Sequence, residues 1–154
     1  LRTKNKQIEY VDFSAVLAAA HAGLIPFLYG DAILDQSIGS TIYSTDRILN
    51  CLTEYIKKQK GVAVDRIIHV GDYDGVVDDS GATIPEITKK NYKTIKKHLH
   101  ETPVVDVTGG MRDKVEEMLA VAKNGVSSYI ISGNKEGNLR ACLVGDDFVG
   151  TKIC

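Results

Sequence analysis

Apolar residues recur at helical spacing in several stretches of this chain and as short unbroken runs between them. In residues 12–21, DFSAVLAAAH, the side chains of Phe13, Val16, Leu17 and Ala20 share one helix face. Asp12 or Ser14 is placed to cap that helix, and Gly23 follows its end. LIPFLY, at 24–29, is a short apolar run closed by Gly30-Asp31, and its length and flanks predict a buried strand. AILD and TIY lie on either side of QSIGS as two extended pieces turning near Gly39, which predicts a hairpin. Ser44-Thr45-Asp46 then caps a helix carrying Ile48, Leu49, Leu52, Tyr55 and Ile56 on one face. Lys57, Lys58 and Lys60 fall in its last turn, where cations are favoured. No element is predicted for the opening LRTKNKQIEY.

The second half continues the alternation. RIIHV, at 66–70, predicts a buried strand that stops in an acidic turn, Gly71-Asp72-Tyr73-Asp74-Gly75. Residues 78–106 are polar and less regular, with a helix expected over 89–99. Thr108-Gly109-Gly110 opens the clearest helix, 111–123, with Met111, Val115, Met118, Leu119 and Ala122 in one stripe and Gly125 past its end. SYIIS at 128–132 predicts a strand, 139–143 a short helix and 151–153 a last strand. Strands alternating with helices predict an α/β fold with a mainly parallel sheet and helices on both faces. No internal repeat or low-complexity linker interrupts it.

Composition narrows the class. The 154 residues hold 19 Lys plus Arg against 20 Asp plus Glu, a net charge of −1, so no general attraction to nucleic acid or anionic membrane is expected. With 44% hydrophobic and 25% charged residues, the chain reads as a soluble globular domain or a large part of one. Neither a membrane span nor a secretory leader is expected. Cys51, Cys142 and Cys154 are scattered and odd in number, which matches neither a disulfide framework nor a zinc site and fits a reducing cytoplasm. The chain opens on Leu1 rather than Met, so the expectation is the later part of a longer protein, holding only part of any chemistry.

Two familiar phosphate motifs are missing: G-x-x-x-x-G-K-[ST], and G-x-G-x-x-G after a strand. The most informative segment is instead Asp106-Val-Thr-Gly-Gly-Met-Arg-Asp-Lys114. Glycines at a helix start let a ligand approach the exposed N–H groups and the positive helix end. Lys114 sits in that first turn, where a cation costs roughly 0.3–1 kcal/mol unless compensated. Its side chain leans back toward the glycines, so a bound phosphate would satisfy both groups. The plain alternative is a glycine turn with Lys114 solvated or paired with Glu117.

Asp72, Tyr73, Asp74, Gly75 and Asp78 follow directly on a strand, at the edge where α/β proteins bind ligands. A nucleotide site ranks first there and a solvated acidic turn second. Third is a dehalogenase-type phosphatase with Asp72 as nucleophile and Asp74 as acid/base, supported by Ser132 and Gly145-Asp146-Asp147. The interval between Ser132 and Asp146 is barely one crossover, which counts against that plan. Asp46 is by default a capping residue; its sharper role would be to hold lysines around a transferring phosphoryl group. The lysine-rich 89–97 stretch with His98 and His100 reads as a solvated face, His21 and His69 as core or edge residues, and Cys51 and Cys142 as small hydrophobes. No metal ligands are predicted.

In order, IPFLYGDAILD, a hairpin, STD, RIIHVGDYDGVVDD, DVTGGM-x-x-K, SYIISGNKEGNL and GT-x-I resemble the C-terminal part of the amino acid kinase family. The likeness is greatest to its members that phosphorylate isopentenyl phosphate and covers nearly all of the chain after about Val11. The resemblance implies a three-layer α/β/α sandwich around a mainly parallel sheet, the carbamate-kinase-like fold, with its N-terminal part missing. It implies one domain portion over 1–154, with the acceptor-site edge at about 24–46 and the nucleotide-binding part at about 62–154. The implied reaction moves the γ-phosphoryl of ATP, with Mg²⁺, to a small phosphorylated acceptor, here isopentenyl phosphate. A phosphonate, glutamate or a nucleotide is the alternative acceptor.

Carried over by residue, Gly30 and Asp31 would line the acceptor site and Asp46 would be the organising catalytic carboxylate. Asp72, Tyr73, Gly75 and Asp78 would contact ATP. Gly109, Gly110, Met111 and Lys114 would bind its phosphates, with Lys114 also neutralising transition-state charge. The family's N-terminal phosphate loop, first catalytic lysine and substrate histidine lie upstream of Leu1, and Gly71 stands where the family usually has Thr. The implied parent is a cytoplasmic homodimeric kinase with no nucleic-acid or membrane partner, and these 154 residues alone are expected to be inactive.

Overall fold

In the computed structural model, which describes residues 1–97, 99 and 110–154, the chain divides into two units, Leu1–Val62 and Ala63–Cys154. The first unit opens with a hairpin that the sequence pattern did not announce. Arg2–Lys4 (β1) and Gln7–Tyr10 (β2) pair antiparallel about Asn5 and Lys6, both at positive φ, 49° and 61°. That turn geometry suits the twist of a hairpin, but lysine rarely adopts it unaided. The help comes from Asp35, whose carboxylate accepts from the N–H groups of Asn5 (3.2 Å) and Lys6 (2.7 Å).

Asp35 ends Asp31–Asp35 (β3), which turns into Gly39–Tyr43 (β4) as the predicted antiparallel hairpin. Only 3% exposed, its carboxylate also accepts from the Thr3 hydroxyl at 2.8 Å and from Ser37 and Ile38 N–H. One carboxylate thus ties two turns to the parallel β1–β3 pairing at the middle of a β2-β1-β3-β4 sheet. Burial pushes its pKa up, but those hydrogen bonds overcome it and hold the group far below the usual carboxylate range.

Two helices complete the unit. Ser14–His21 (α1) starts on Phe13, with Asp12 Oδ1 accepting from Ser14 N–H, and Phe13 packs edge-on against Tyr55. Thr45–Lys57 (α2) is capped by Ser44, whose hydroxyl accepts from Arg47 N–H at 3.3 Å, as its sequence predicts.

The expected buried strand at 24–29 is corrected. The segment pairs with no strand; Ile25 is 94% and Phe27 91% exposed. An apolar run becomes a buried strand only if a neighbour offers both ladder partners and a covering surface, and none does so among the described residues. Pro26 also lacks an N–H to offer a ladder.

The second unit is built on Arg66–Gly71 (β5), Glu86–Ile87 (β6), Ser127–Ser132 (β7) and Gly150–Ile153 (β8), in the order β5-β7-β8-β6. β5 with β7 and β6 with β8 are parallel, while β7 and β8 are antiparallel. Each sheet has four strands and combines parallel with antiparallel pairs. The helices are Tyr92–Ile95 (α3), Met111–Ala122 (α4) and Asn138–Val144 (α5). The helix expected over 89–99 contracts to α3, a single turn. The α4 stripe packs as predicted: Val115 and Met118 join Val76, Ile87, Leu99, Ile130 and Ile153 in one core, with Met111 and Leu119 against it. Val121 is buried where the stripe named Ala122. Among the described residues no helix is long and apolar enough to cross a membrane.

Candidate functional site

In the first unit, three predicted residues meet at the start of α2. Gly30 N–H donates to Thr45 Oγ1 at 3.0 Å. A Cβ at Gly30 would lie 2.8 Å from both Thr45 N and Tyr43 O, backbone atoms that cannot swing aside. The chain therefore passes this helix mouth at a separation only glycine allows. Asp31 follows, exposed, with Oδ1 accepting from Ala32 N–H at 2.7 Å. Asp46 occupies the first turn of α2, where a carboxylate faces the positive helix end. Beside them, the Arg47 guanidinium lies over the Tyr43 ring at 4.6 Å.

The second unit presents its candidates at the carboxyl ends of two parallel strands. Gly71 lies opposite Ser132, and Gly133 N–H extends the ladder to Gly71 O at 2.8 Å. The loops after β5 and β7 thus leave the sheet side by side, the position where α/β sheets bind ligands. Asp72 and Tyr73 are exposed on the first loop. Gly75 ends it at φ +116°, and a Cβ there would come within 2.5 Å of Thr151 Oγ1 and 2.9 Å of Thr151 N. Both its backbone conformation and its packing require glycine. Thr151 Oγ1 accepts from Val76 N–H at 2.8 Å and donates to Ile84 O at 2.7 Å, fixing the far end of the loop. A Cβ at Gly71 would meet open space, so a side chain there would find room.

Asp78 belongs to its own turn. Its Oδ1 accepts from Ser80 N–H, the Ser80 hydroxyl and Ala82 N–H, closing the hairpin bridged by Val77 and Thr83. This accounts for the residue without a ligand.

Gly110 is the N-cap of α4, with φ −71° and ψ −177°, ordinary extended backbone. Having no side chain, it makes no side-chain cap at that end of the helix. Met111 is half-buried against the core, and Lys114, one turn in, is half-buried, its N–H donating to Gly110 O at 3.2 Å. Gly109, with Asp106 and Thr108, lies outside the described residues, as do His98 and His100.

On the next turn of α4, Glu116 accepts from Lys96 Nζ at 2.6 Å and from the Tyr92 hydroxyl at 2.7 Å. The Lys96 bond foremost, then that of Tyr92, lowers the Glu116 carboxyl to about 2; burial, then the bond to Glu116, raises Tyr92 to about 12. The lysine-rich stretch therefore docks α3 to α4 through one of its cations.

Two residues carrying much of this edge were missed by the sequence reading. Lys135, on the loop after β7, reaches Asp74 Oδ2 at 2.8 Å. Asn138 is buried and saturated: its amide donates to Ser132 O and Val149 O, and Oδ1 accepts from Val149 N–H. The string SGNKEGNL was visible, but nothing local in it points to Asp74 or Val149. Among the described residues, no group of three or more His, Cys, Asp or Glu side chains is gathered to hold a metal ion.

The amino acid kinase family model matches residues 1–132. The isopentenyl phosphate kinase of Methanocaldococcus jannaschii is 32% identical over 92% of this chain and 50% of its own length. Those of Methanothermobacter thermautotrophicus and Arabidopsis thaliana are each 28% identical, over 99% and 98% of the chain and 57% and 51% of their own lengths. The chain spans about half the length of the curated relatives it matches. Among solved structures, an isopentenyl phosphate kinase substrate complex superposes with TM-score 0.65 over all of this chain and 59% of that one, at 20% identity. N-acetylglutamate synthase from Neisseria gonorrhoeae superposes with TM-score 0.71 over 96% of this chain and 31% of that one, at 16% identity, a likeness of fold.

These matches overturn the phosphatase alternative. Asp72 falls inside the matched family segment, Asp74 is engaged by Lys135, and Ser132 is buried, its hydroxyl accepting from Asn134 N–H. The return from β7 is to an antiparallel strand, so the parallel crossover that plan needs is absent there. Matched from residue 1 to residue 132 and sharing the fold of those enzymes, the chain belongs to the amino acid kinase family.

Proposed function

We propose that this chain supplies the ATP-binding part and one edge of the acceptor site of a kinase that converts isopentenyl phosphate to its diphosphate. The observation that carries phosphoryl transfer is the start of α4: a glycine with no side chain to cap it, and a half-buried lysine one turn inside. A helix mouth of this kind attracts anions, and a lysine in its first turn adds positive charge beside it. The polyphosphate of ATP suits such a site. Lys114 then neutralises charge spreading over the equatorial oxygens of the transferring group, in a reaction where positioning and electrostatics do most of the work. Gly109 and Gly110 let that anion approach the backbone closely, and Met111 anchors the helix start to the core.

Asp72, Tyr73 and Gly75 offer the remainder of the nucleotide a surface at the strand edge, with Asp78 shaping the hairpin beyond. Asp46 organises the cations around the reacting phosphoryl group, while Gly30 and Asp31 form the acceptor edge. Mg²⁺ enters as part of the MgATP substrate, held through phosphates and one or two carboxylates. The choice of acceptor rests on the names of the relatives. The three unpaired cysteines support a reducing, cytoplasmic setting. A homodimeric intact protein rests on the family resemblance.

The test is ADP release by the intact protein with isopentenyl phosphate, dimethylallyl phosphate, fosfomycin or glutamate. We expect the highest kcat/KM with isopentenyl phosphate, and a fall in kcat of about 10²-fold or more for Lys114→Met. Turnover confined to fosfomycin or glutamate would replace the acceptor. ATP consumption with none of them, or a Lys114→Met enzyme as fast as the parent, would overturn the kinase reading.

A further inference from the structure

The loop from Asp72 to Gly75 is tethered at three points. At its start, Gly71 O accepts from Gly133 N–H; at its end, Val76 N–H donates to Thr151 Oγ1, and Gly75 is seated against Thr151. The middle tether is the Lys135–Asp74 ion pair, 2.8 Å long, with both side chains nearly half exposed. The outer tethers are backbone and buried contacts that belong to the fold. The middle one is different in kind, since exposed ion pairs contribute little to global stability. Yet it joins neighbouring loops at the carboxyl edge of β5 and β7, directly beside the exposed Asp72 and Tyr73. Neither loop's own sequence would set the height of Asp72 and Tyr73 above the sheet.

We propose that Lys135 is a nucleotide-positioning residue, which by holding Asp74 fixes the 72–75 loop in the conformation that receives ATP. This rests on the reading of that loop as part of the ATP site. Lys135 acts through Asp74 rather than by touching the nucleotide, so its effect falls on ATP affinity and leaves the transferring step alone. Losing the pair leaves the fold in place and lets the loop sample conformations from which Asp72 and Tyr73 meet the nucleotide poorly. The bound state must then be selected from a smaller competent population, which weakens apparent affinity in proportion.

The experiment uses the intact protein and four forms: wild type, Lys135→Met, Lys135→Arg and the charge-swapped pair Asp74→Lys with Lys135→Asp. ATP affinity is titrated with a fluorescent ATP analogue, so the measurement does not need turnover, and kcat and KM are measured alongside. Lys135→Met should weaken nucleotide binding and raise the KM for ATP about three- to fivefold, with kcat within about twofold and the acceptor KM unchanged. Lys135→Arg and the charge swap should bind nearly as well as wild type, since each restores an opposite-sign pair. Unchanged affinity in Lys135→Met overturns the proposal. So does a swap that stays as weak as Lys135→Met, because Lys135 would then meet the nucleotide itself. Wild type that binds the analogue but turns over no acceptor sinks the kinase reading while leaving the positioning role measurable. Wild type that does not bind it overturns both.

Discussion

At Gly30 the requirement for glycine comes from a neighbour rather than from backbone dihedrals. The space for a side chain is occupied by the peptide linking β4 to α2, at distances real Cβ atoms do not reach. Gly30→Ala should therefore cost about 1–3 kcal/mol through overpacking, or push Thr45 and Asp46 away from their places. Urea unfolding of the variant beside the parent checks this; an unchanged midpoint would mean the helix mouth is looser than described. Gly75 is bound more tightly still, by its φ and by Thr151 together. In both cases the residue type was legible as a turn or binding glycine. The reason for it was not, because the crowding atoms belong to distant residues or to the far side of a hairpin.

Among the elements, the hairpins of the first unit depend on one carboxylate. The turn of β1–β2 lies some thirty residues from Asp35, which supplies the acceptor for its two N–H groups. No local signal in Asn5-Lys6 could announce that turn, whereas the β3–β4 hairpin shows its period and its glycine. Because the folded-state pKa of Asp35 is depressed, its stabilisation is fully present above the unfolded value of about 4 and is lost as pH falls below it. Urea midpoints measured from pH 7 to pH 3 should fall steeply below about pH 4 for the parent and less steeply for Asp35→Asn. An Asp35→Asn protein that matches the parent across this range would remove the carboxylate from that role. α2 and α4, by contrast, were readable almost to the residue, since a cap, a stripe and a terminating turn all lie within one short stretch. The run at 24–29 misled for the complementary reason: a strand is defined by its partner, and apolarity names no partner.

For the molecule as a whole, three thiols spread over both units form no disulfide. Cys51 and Cys142 are buried, and burial raises both thiols; Cys154 is less enclosed, although burial and the Glu86 carboxylate beside it raise it too. Alkylation of the native protein at pH 8 should modify Cys154 well before the other two, read by peptide mass mapping. Equal labelling of all three would mean that the cores around Cys51 and Cys142 open readily. The fold class and family were legible because the diagnostic segments keep their order along the chain. The order of strands within each sheet was not, since strand order is a property of pairing.

What the sequence determined by itself is what neighbours within a turn or two decide: the capped α2, the α4 stripe, the β3–β4 hairpin, and the glycine and acidic segments that mark the family. Tertiary structure alone decided which segments found partners. It brought Lys135 to Asp74, seated Gly75 on Thr151, packed Gly30 against the mouth of α2 and left Ile25 and Phe27 uncovered. Periodicity and capping are short-range effects written in adjacent residues. Ion pairs, close backbone approaches and strand pairing join atoms far apart along the chain, and only the folded arrangement specifies them.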